Sequence, residues 1–335
     1  VPIHLFTQVS RWLLERTIRV PVTLHDWAVD TGAIQLDSLA MDIPATLATA
    51  ARFEAEADTA AVALARAFRT HGVRAVVCDA PAMPCTAAHL AGMPAVLLAN
   101  FTWDWIYADF TSDHPGHDDL PARLGARYAL AEAAWRLPMA GGFETCRTVL
   151  DFPWIARRSR RAPDDTRRLI DAPRDGRPLV LLSFGGYGVA GMRLAHHAGA
   201  PYRLVVSAGA SHTPDVLPTD ALQVDRDRLE SLGLRYEDLV AACDVVASKP
   251  GYGIVSECVA NDTALLYTDR GRFREYPVMV AQMPDVLRCA FIDNEALATA
   301  RWDAEVDALL AQPAPPARPL VNGAEVAAGM LSAMV

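Results

Sequence analysis

Residues 244–260 read DVVASKPGYGIVSECVA. Asp244–Ser248 has the make-up of a short buried strand, β-branched residues bounded by turn formers. Pro250, Gly251 and Gly253 then punctuate the chain, and Ile254–Ala260 has the apolar spacing of a helix start. A strand, a glycine turn and a helix N-terminus offer free backbone N–H groups and the positive end of a helix dipole to an anion. We read this turn as a holder for a diphosphate. It also carries Lys249, the only lysine among the 335 residues. Lys249 has two readings: a charge beside the diphosphate, or a partner for Asp244 within its own domain.

The same alternation runs along the rest of the chain. Upstream, PLVLLSFGG (178–186), YRLVVSAG (202–209) and DLVAACDVVAS (238–248) read as strand-bearing apolar segments, and TALLYTD (263–269) follows. In the N-terminal half, Ile3–Thr7, Ile18–Leu24, Arg74–Ala80 and Pro94–Asn100 read as strands. Residues 11–17 and 44–70 read as helices, and so does 85–92, closed by Gly92; Arg123–Leu137 is amphipathic. Continuous apolar strands separated by helices indicate parallel sheets covered on both faces. The alternation breaks in an Arg/Pro/Asp-rich segment and then resumes. The expected architecture is α/β: two Rossmann-like doubly wound domains facing each other across a cleft. Residues 1–155 form the first domain, 156–177 a linker and 178–335 the second domain, with the last helix packing back on the first. Ligands are expected at the C-terminal ends of the strands. The first domain opens almost directly on a strand, without the strand, glycine turn and helix that normally begin such a domain. It is either minimal or, on the preferred reading, lacks an initial strand-turn-helix.

Composition narrows the function. A net charge of −9 argues against nucleic acid as a bulk partner. No apolar run reaches the roughly 18–20 residues of a membrane span, and the start has no leader-like pattern. The six cysteines are scattered without a CxxC pair, which suggests reduced thiols, a cytoplasmic setting and no zinc. The basic run ARRSRRAPDDTRR (156–168) is a solvated linker or, alternatively, a contact for anionic lipid headgroups at the cytoplasmic face.

Several residues are placed to do chemistry. The turn LLSFGGYGVAG brings Gly185 and Gly186 after a strand; its spacing resembles a dinucleotide fingerprint only loosely, and no acidic residue closes the unit. His212 lies in the loop after the next strand, where it faces the cleft or is incidental. Glu257, one turn beyond Gly253, either takes the two hydroxyls of a ribose or caps the helix. In the loop 267–283, an arginine such as Arg272 would neutralise phosphate while Glu275 accepts from sugar hydroxyls; surface salt links are the plain alternative. The candidate ligand-binding set is therefore Gly185, Gly186, His212, Lys249, Gly251, Tyr252, Gly253, Ser256, Glu257, Arg272 and Glu275. In the N-terminal half, NFTWDWIYADF (100–110) bunches Trp103, Trp105 and Tyr107 at a strand end, for stacking on a ligand or for cementing the domain. Asp104 is the first candidate general base and Asp79 the second, although a strand-end Asp also serves as a helix cap. No DxD-like pair suits a metal.

Residues 234–283, together with NFTWDWIYADF, VVCDAPAMPC (76–85) and KPGYGIVSE (249–257), resemble GT-B glycosyltransferases. The resemblance is to the peptidoglycan N-acetylglucosaminyltransferase group, and more strongly to the glycosyltransferase-like N-terminal region of plant L-arabinokinases and its free-standing bacterial relatives. It spans about Ile3 to Met283. It implies a transferase moving a sugar from a nucleotide-diphosphate sugar, UDP by analogy, to an acceptor hydroxyl, with no further cofactor. Glu257 would then hold the ribose, Gly251–Gly253 would face the diphosphate, the 269–275 loop would approach the donor sugar, and Gly185 and Gly186 would line the cleft. The family's first glycine- and histidine-containing turn, which faces the acceptor, is absent from this sequence. A nucleotide-sugar hydrolase or epimerase, and a non-catalytic nucleotide-sugar-binding module, stay open as alternatives.

Overall fold

The computed structural model describes the chain except for residues 37–38, 185–199, 208–217, 300–301 and 335. It divides into two compact units. The first comprises Val1–Ile34, Asp42–Phe152 and Glu325–Val335, the second Gln35–Met41 and Pro153–Ala324.

The second unit is built on six parallel strands: β7 (Leu179–Leu182), β8 (Arg203–Val206), β9 (Leu222–Gln223), β10 (Val245–Ser248), β11 (Ala264–Tyr267) and β12 (Cys289–Phe291). Their order is β12-β11-β10-β7-β8-β9. β7, β8, β10 and β11 are buried at every position, in keeping with runs that are apolar except for Arg203 in β8 and Ser248 in β10. Chain order reverses between β7 and β10, which makes that junction the topological switch point where open α/β sheets bind ligands. Around the sheet lie α6 (Pro163–Leu169), α7 (Arg226–Ser231), α8 (Tyr236–Ala242), α9 (Tyr252–Asn261), α10 (Glu275–Val286), α11 (Asn294–Thr299) and α12 (Asp303–Leu310). The core joins Val180, Leu182, Val245, Ala247 and Leu266 to Trp302. The segment DLVAACDVVAS is split: its first half belongs to α8, and only 245–248 is strand.

The first unit holds β1 (His4–Thr7) and β2 (Thr23–Asp26) as a parallel pair, with α1 (Arg11–Thr17) between them. A separate parallel sheet has the order β3 (Val76–Cys78), β4 (Ala95–Phe101), β5 (Ala133–Gly141) and β6 (Val149–Asp151). α2 (Ile43–Thr70) starts with Asp42 accepting the Ala45 N–H at 2.9 Å, and α3 (Met83–Ala91) ends on Gly92 at φ 71°. α4 (Trp103–Thr111) and α5 (Leu120–Tyr128) follow. The amphipathic stretch 123–137 is two elements, because α5 stops at Tyr128 and Ala133 begins β5. Pairing with β4 and β6 and burial of Trp135 against Phe152, rings 5.1 Å apart, override the helix propensity of its alanines. α13 (Gly323–Met334) packs on that same cluster through Ala327.

Candidate functional site

In the second unit, Ser183 and Phe184 follow the end of β7, and β10 ends in Ser248 with Lys249 next, so both strand ends lie at the switch point. Ser248 donates its hydroxyl to the Ser183 carbonyl, and the Ser183 hydroxyl hydrogen-bonds the phenol of Tyr236. Gly251 is the N-cap of α9, with φ −152° and ψ 153°. Neither Gly251 nor Gly253 has a positive φ, and a Cβ built on either meets nothing within 4 Å. The fold itself therefore does not demand glycine at these places. What glycine does is keep the approach to the helix N-terminus clear of side chains, where backbone donors and the helix dipole favour an anion.

Counting from Gly251, Glu257 is the sixth helical residue, too far in to act as a capping glutamate. Its side chain is buried, and Arg157 donates to Oε1 through Nε at 2.6 Å and also through Nη2. Burial raises the Glu257 carboxyl from its usual value, Arg157 pulls it back, and Glu237 adds to the rise. The Arg157 guanidinium carbon lies 5.9 Å from the ring centre of Tyr236, so one arginine joins Glu257 to the Tyr236–Ser183 pair. Ser256 is occupied otherwise, donating to the Gly253 carbonyl at 2.9 Å inside the helix. Lys249 and Asp244 flank the four-residue β10, about 16 Å apart along an extended chain. That span removes the Asp244 pairing. Asp244 instead accepts from Arg167 at 3.0 Å and from the Leu179 N–H at 2.8 Å.

The loop after β11 places its charges differently from the expectation. Arg272 is exposed, and it is Arg270 that donates to the buried Glu275, at 2.9 Å. The Arg270 guanidinium also stacks 3.9 Å from the Phe273 ring centre, and its Nε is buried without a partner among the described residues. Burial lowers the Arg270 guanidinium from its ordinary range while Glu275 opposes that. Tyr252, first residue of α9, has its phenol raised by burial with Glu275 and Arg270 acting on it, which puts this loop beside the glycine turn. Gly185, Gly186 and His212 lie outside the described residues. The arginine run 156–168 is tied into its own unit through Arg157, through Arg167 to the Ala242 carbonyl and Asp244, and through Arg168 to Asp165.

The first unit carries a small, open pocket lined by Asp30, Thr31, Phe53, Met83, Trp103 and Tyr107, among others. Trp103 and Tyr107 stack at 5.2 Å, and Trp103 donates its indole N–H to Asp30 at 3.2 Å. Burial raises the Asp30 carboxyl, the indole N–H lowers it, and the charge of Asp79 raises it again. Asp79 keeps solvent-exposed area yet is crowded by the chain, and desolvation raises its carboxyl too. Asp104 does not join them. It is buried, with Oδ1 accepting the Trp105 N–H at 2.9 Å and Oδ2 accepting the Thr145 hydroxyl at 3.1 Å. Trp105 packs where Cβ atoms on Gly141 and Gly142 would stand, so it cements the end of β5 rather than lining the pocket. Tyr128, fully buried, donates to the carbonyl of Ala80 at 2.6 Å and accepts the Trp103 N–H at 3.1 Å. It thereby holds the loop after Asp79 to the start of α4, with Ala80 kept at φ 71°. Sequence reasoning missed Asp30, Tyr128, Arg157 and Arg270 as positioned groups, since each is defined by a partner distant in the chain or by burial.

No family model matches the sequence. L-arabinokinase of Arabidopsis thaliana is 28% identical over 286 residues, covering 83% of this chain and 26% of that protein. The chain thus spans about a quarter of that relative's length. Among solved structures, the glycotransferase of kitacinnamycin superposes with a TM-score of 0.61 at 14% identity, over 94% of this chain and 87% of the other. Phytolacca americana UGT2, complexed with UDP-2fluoro-glucose and pterostilbene, gives 0.56 at 15% identity, over 91% and 82%. The chain has the GT-B glycosyltransferase fold. Among the described residues, no helix is long and apolar enough to cross a membrane.

Proposed function

We propose that this chain is a nucleotide-sugar-dependent glycosyltransferase. The observation that carries the reading is the glycine turn at the switch point of the second unit, with Glu257 held by Arg157 one turn further along α9. In this reading the α9 N-terminus and Lys249 take the diphosphate, and Glu257 takes the ribose hydroxyls. The buried Nε of Arg270, left unpaired at a penalty of about 1–3 kcal/mol, gains an oxygen partner from the donor. Uridine is the first base to test, since UGT2 of Phytolacca americana was solved with UDP-2fluoro-glucose.

The acceptor side rests on the first unit. Asp30 and Asp79, two carboxyls raised by burial, suit a general base that removes the acceptor hydroxyl proton. Trp103 and Tyr107 offer the flat apolar wall that an acceptor would stack on. The hydroxyl oxygen bonds to the anomeric carbon as the bond to the diphosphate breaks, and the departing charge falls to backbone N–H groups at α9. Asp104, committed to Trp105 and Thr145, serves as scaffold in this scheme.

Thermal-shift binding of UDP, GDP, TDP and ADP with their common sugar conjugates tests the donor half. A ligand at about 100 times its dissociation constant stabilises by roughly 2.7 kcal/mol. Selective stabilisation by one nucleotide supports the reading, and no shift with any of them overturns it. Nucleotide release without acceptor would instead indicate a hydrolase, and binding without turnover a non-catalytic module.

A further inference from the structure

Three histidines that no spacing motif connects come together in the first unit. His4 and Phe6 lie on one face of β1, and the parallel register sets His25 of β2 directly beside Phe6 on that face. His71 is the C-cap of α2, whose last turn covers the same face through Phe68, 5.1 Å from the Phe6 ring. One ring nitrogen of each histidine lies within 4.8 Å of the other two, and His4 Nδ1 is 3.0 Å from His25 Nε2. The His25 and His71 ring centres are 4.4 Å apart, and Phe6 stacks on His25 at 4.3 Å and 11°.

We propose that His4, His25 and His71 form a binding site for a divalent transition-metal ion of the kind imidazole favours, zinc in the first instance. A tetrahedral ion with metal–nitrogen bonds of about 2.0–2.1 Å needs its ligand nitrogens about 3.3 Å apart. The His4 and His25 nitrogens, hydrogen-bonded to each other without metal, are already near that spacing. The ion takes the place of that bond once the donor ring moves its proton to its other nitrogen, and His71, exposed, closes the remainder by turning its side chain. Three nitrogens with no carboxylate or thiolate in the cluster suit zinc, cobalt, nickel or copper and not the oxygen-seeking magnesium or calcium. The packed Phe6 ring fixes the His25 plane, a constraint ligand sites commonly need. The C-terminal end of a 28-residue helix adds its negative dipole end, which stabilises a cation. A fourth position faces the exposed side and takes water. The ion would clip the end of α2 to the β1–β2 pair.

The test uses the full chain without an affinity tag, stripped of metal and titrated with zinc chloride by calorimetry, with cobalt absorption as a second readout. The expected result is saturable binding of about one ion per chain, a rise in melting temperature, and a cobalt spectrum of a nitrogen-rich site. His71→Ala, at an exposed position, should leave the metal-free melting temperature unchanged while weakening zinc binding at least about tenfold. His4→Gln should weaken it as well. Absence of saturable binding, or His71→Ala and His4→Gln both binding zinc like the unaltered chain, overturns the proposal.

Discussion

Arg157 reaches Glu257 across 100 residues of sequence, its Nε 2.6 Å from Oε1 of a carboxylate that is otherwise buried. The arginine is half exposed and the glutamate is not, so the pair is unequal. Removing Arg157 leaves a buried charge uncompensated, whereas removing both charges does not. Arg157→Met should lower stability by about 1–3 kcal/mol, and Arg157→Met with Glu257→Gln should recover most of it. Denaturant melts of the two single variants and the double variant measure that coupling directly.

For ligand binding, the same carboxylate has a second signature. Glu257→Gln keeps the shape of the side chain but gives up its charge. It should weaken nucleoside-diphosphate affinity by roughly 1–3 kcal/mol, read by calorimetry on the folded variant. Unchanged affinity would leave Glu257 as a partner of Arg157 alone.

Gly253 separates structure from function more sharply. A methyl group there meets no atom within 4 Å and enters a helix at an ordinary φ. Gly253→Ala should raise stability by about 0.5 kcal/mol through helix propensity. If the diphosphate lies on the turn, the same methyl should cut nucleotide affinity at least tenfold. A variant that is both more stable and fully able to bind would remove the diphosphate from this turn.

Asp30 yields a pH-dependent outcome. Its folded carboxyl is raised, burial being the main cause, so its share of stability is present below the unfolded value near about 4 and is lost as pH rises through the folded value. Asp30→Asn should therefore melt higher than the unaltered chain at pH 7–8, with the gain shrinking toward pH 4. Transfer activity should fall in the same variant if Asp30 is the base. A melting difference independent of pH would contradict the buried charge.

Tyr128→Phe addresses the support of that region. The phenol is the donor to the Ala80 carbonyl and the acceptor for the Trp103 N–H. Its loss should destabilise by about 1–3 kcal/mol and loosen the loop that carries Asp79. Hydrogen exchange at Trp103, faster in the variant, would report the broken contact.

Much of the second unit was legible because its information is local. β10, the glycine turn and α9 are consecutive, and the runs that became β7, β8 and β11 are apolar throughout but for Arg203 at the start of β8, as a covered parallel sheet favours. The stretch 123–137 misled because its alanines and leucines suit either state, and only pairing with β4 and β6 chose the strand. The loop after β11 was legible as a charged cluster, but the pairing of Glu275 with Arg270 rather than Arg272 was not. Alternate residues on a tight loop point different ways, and composition carries no direction.

The sequence by itself determined an α/β chain with a helix N-terminus bracketed by Gly251 and Gly253 after β10, since periodicity and glycine act over a few residues. Tertiary structure alone decided which polar groups are spoken for at long range: Asp104 by Thr145, Asp244 by Arg167. It also decided which are brought together, Glu257 with Arg157, Asp30 with Trp103, and His4 with His25 and His71. These pairings span tens of residues and leave no periodic trace, because what selects them is burial and the register of the strands beneath them.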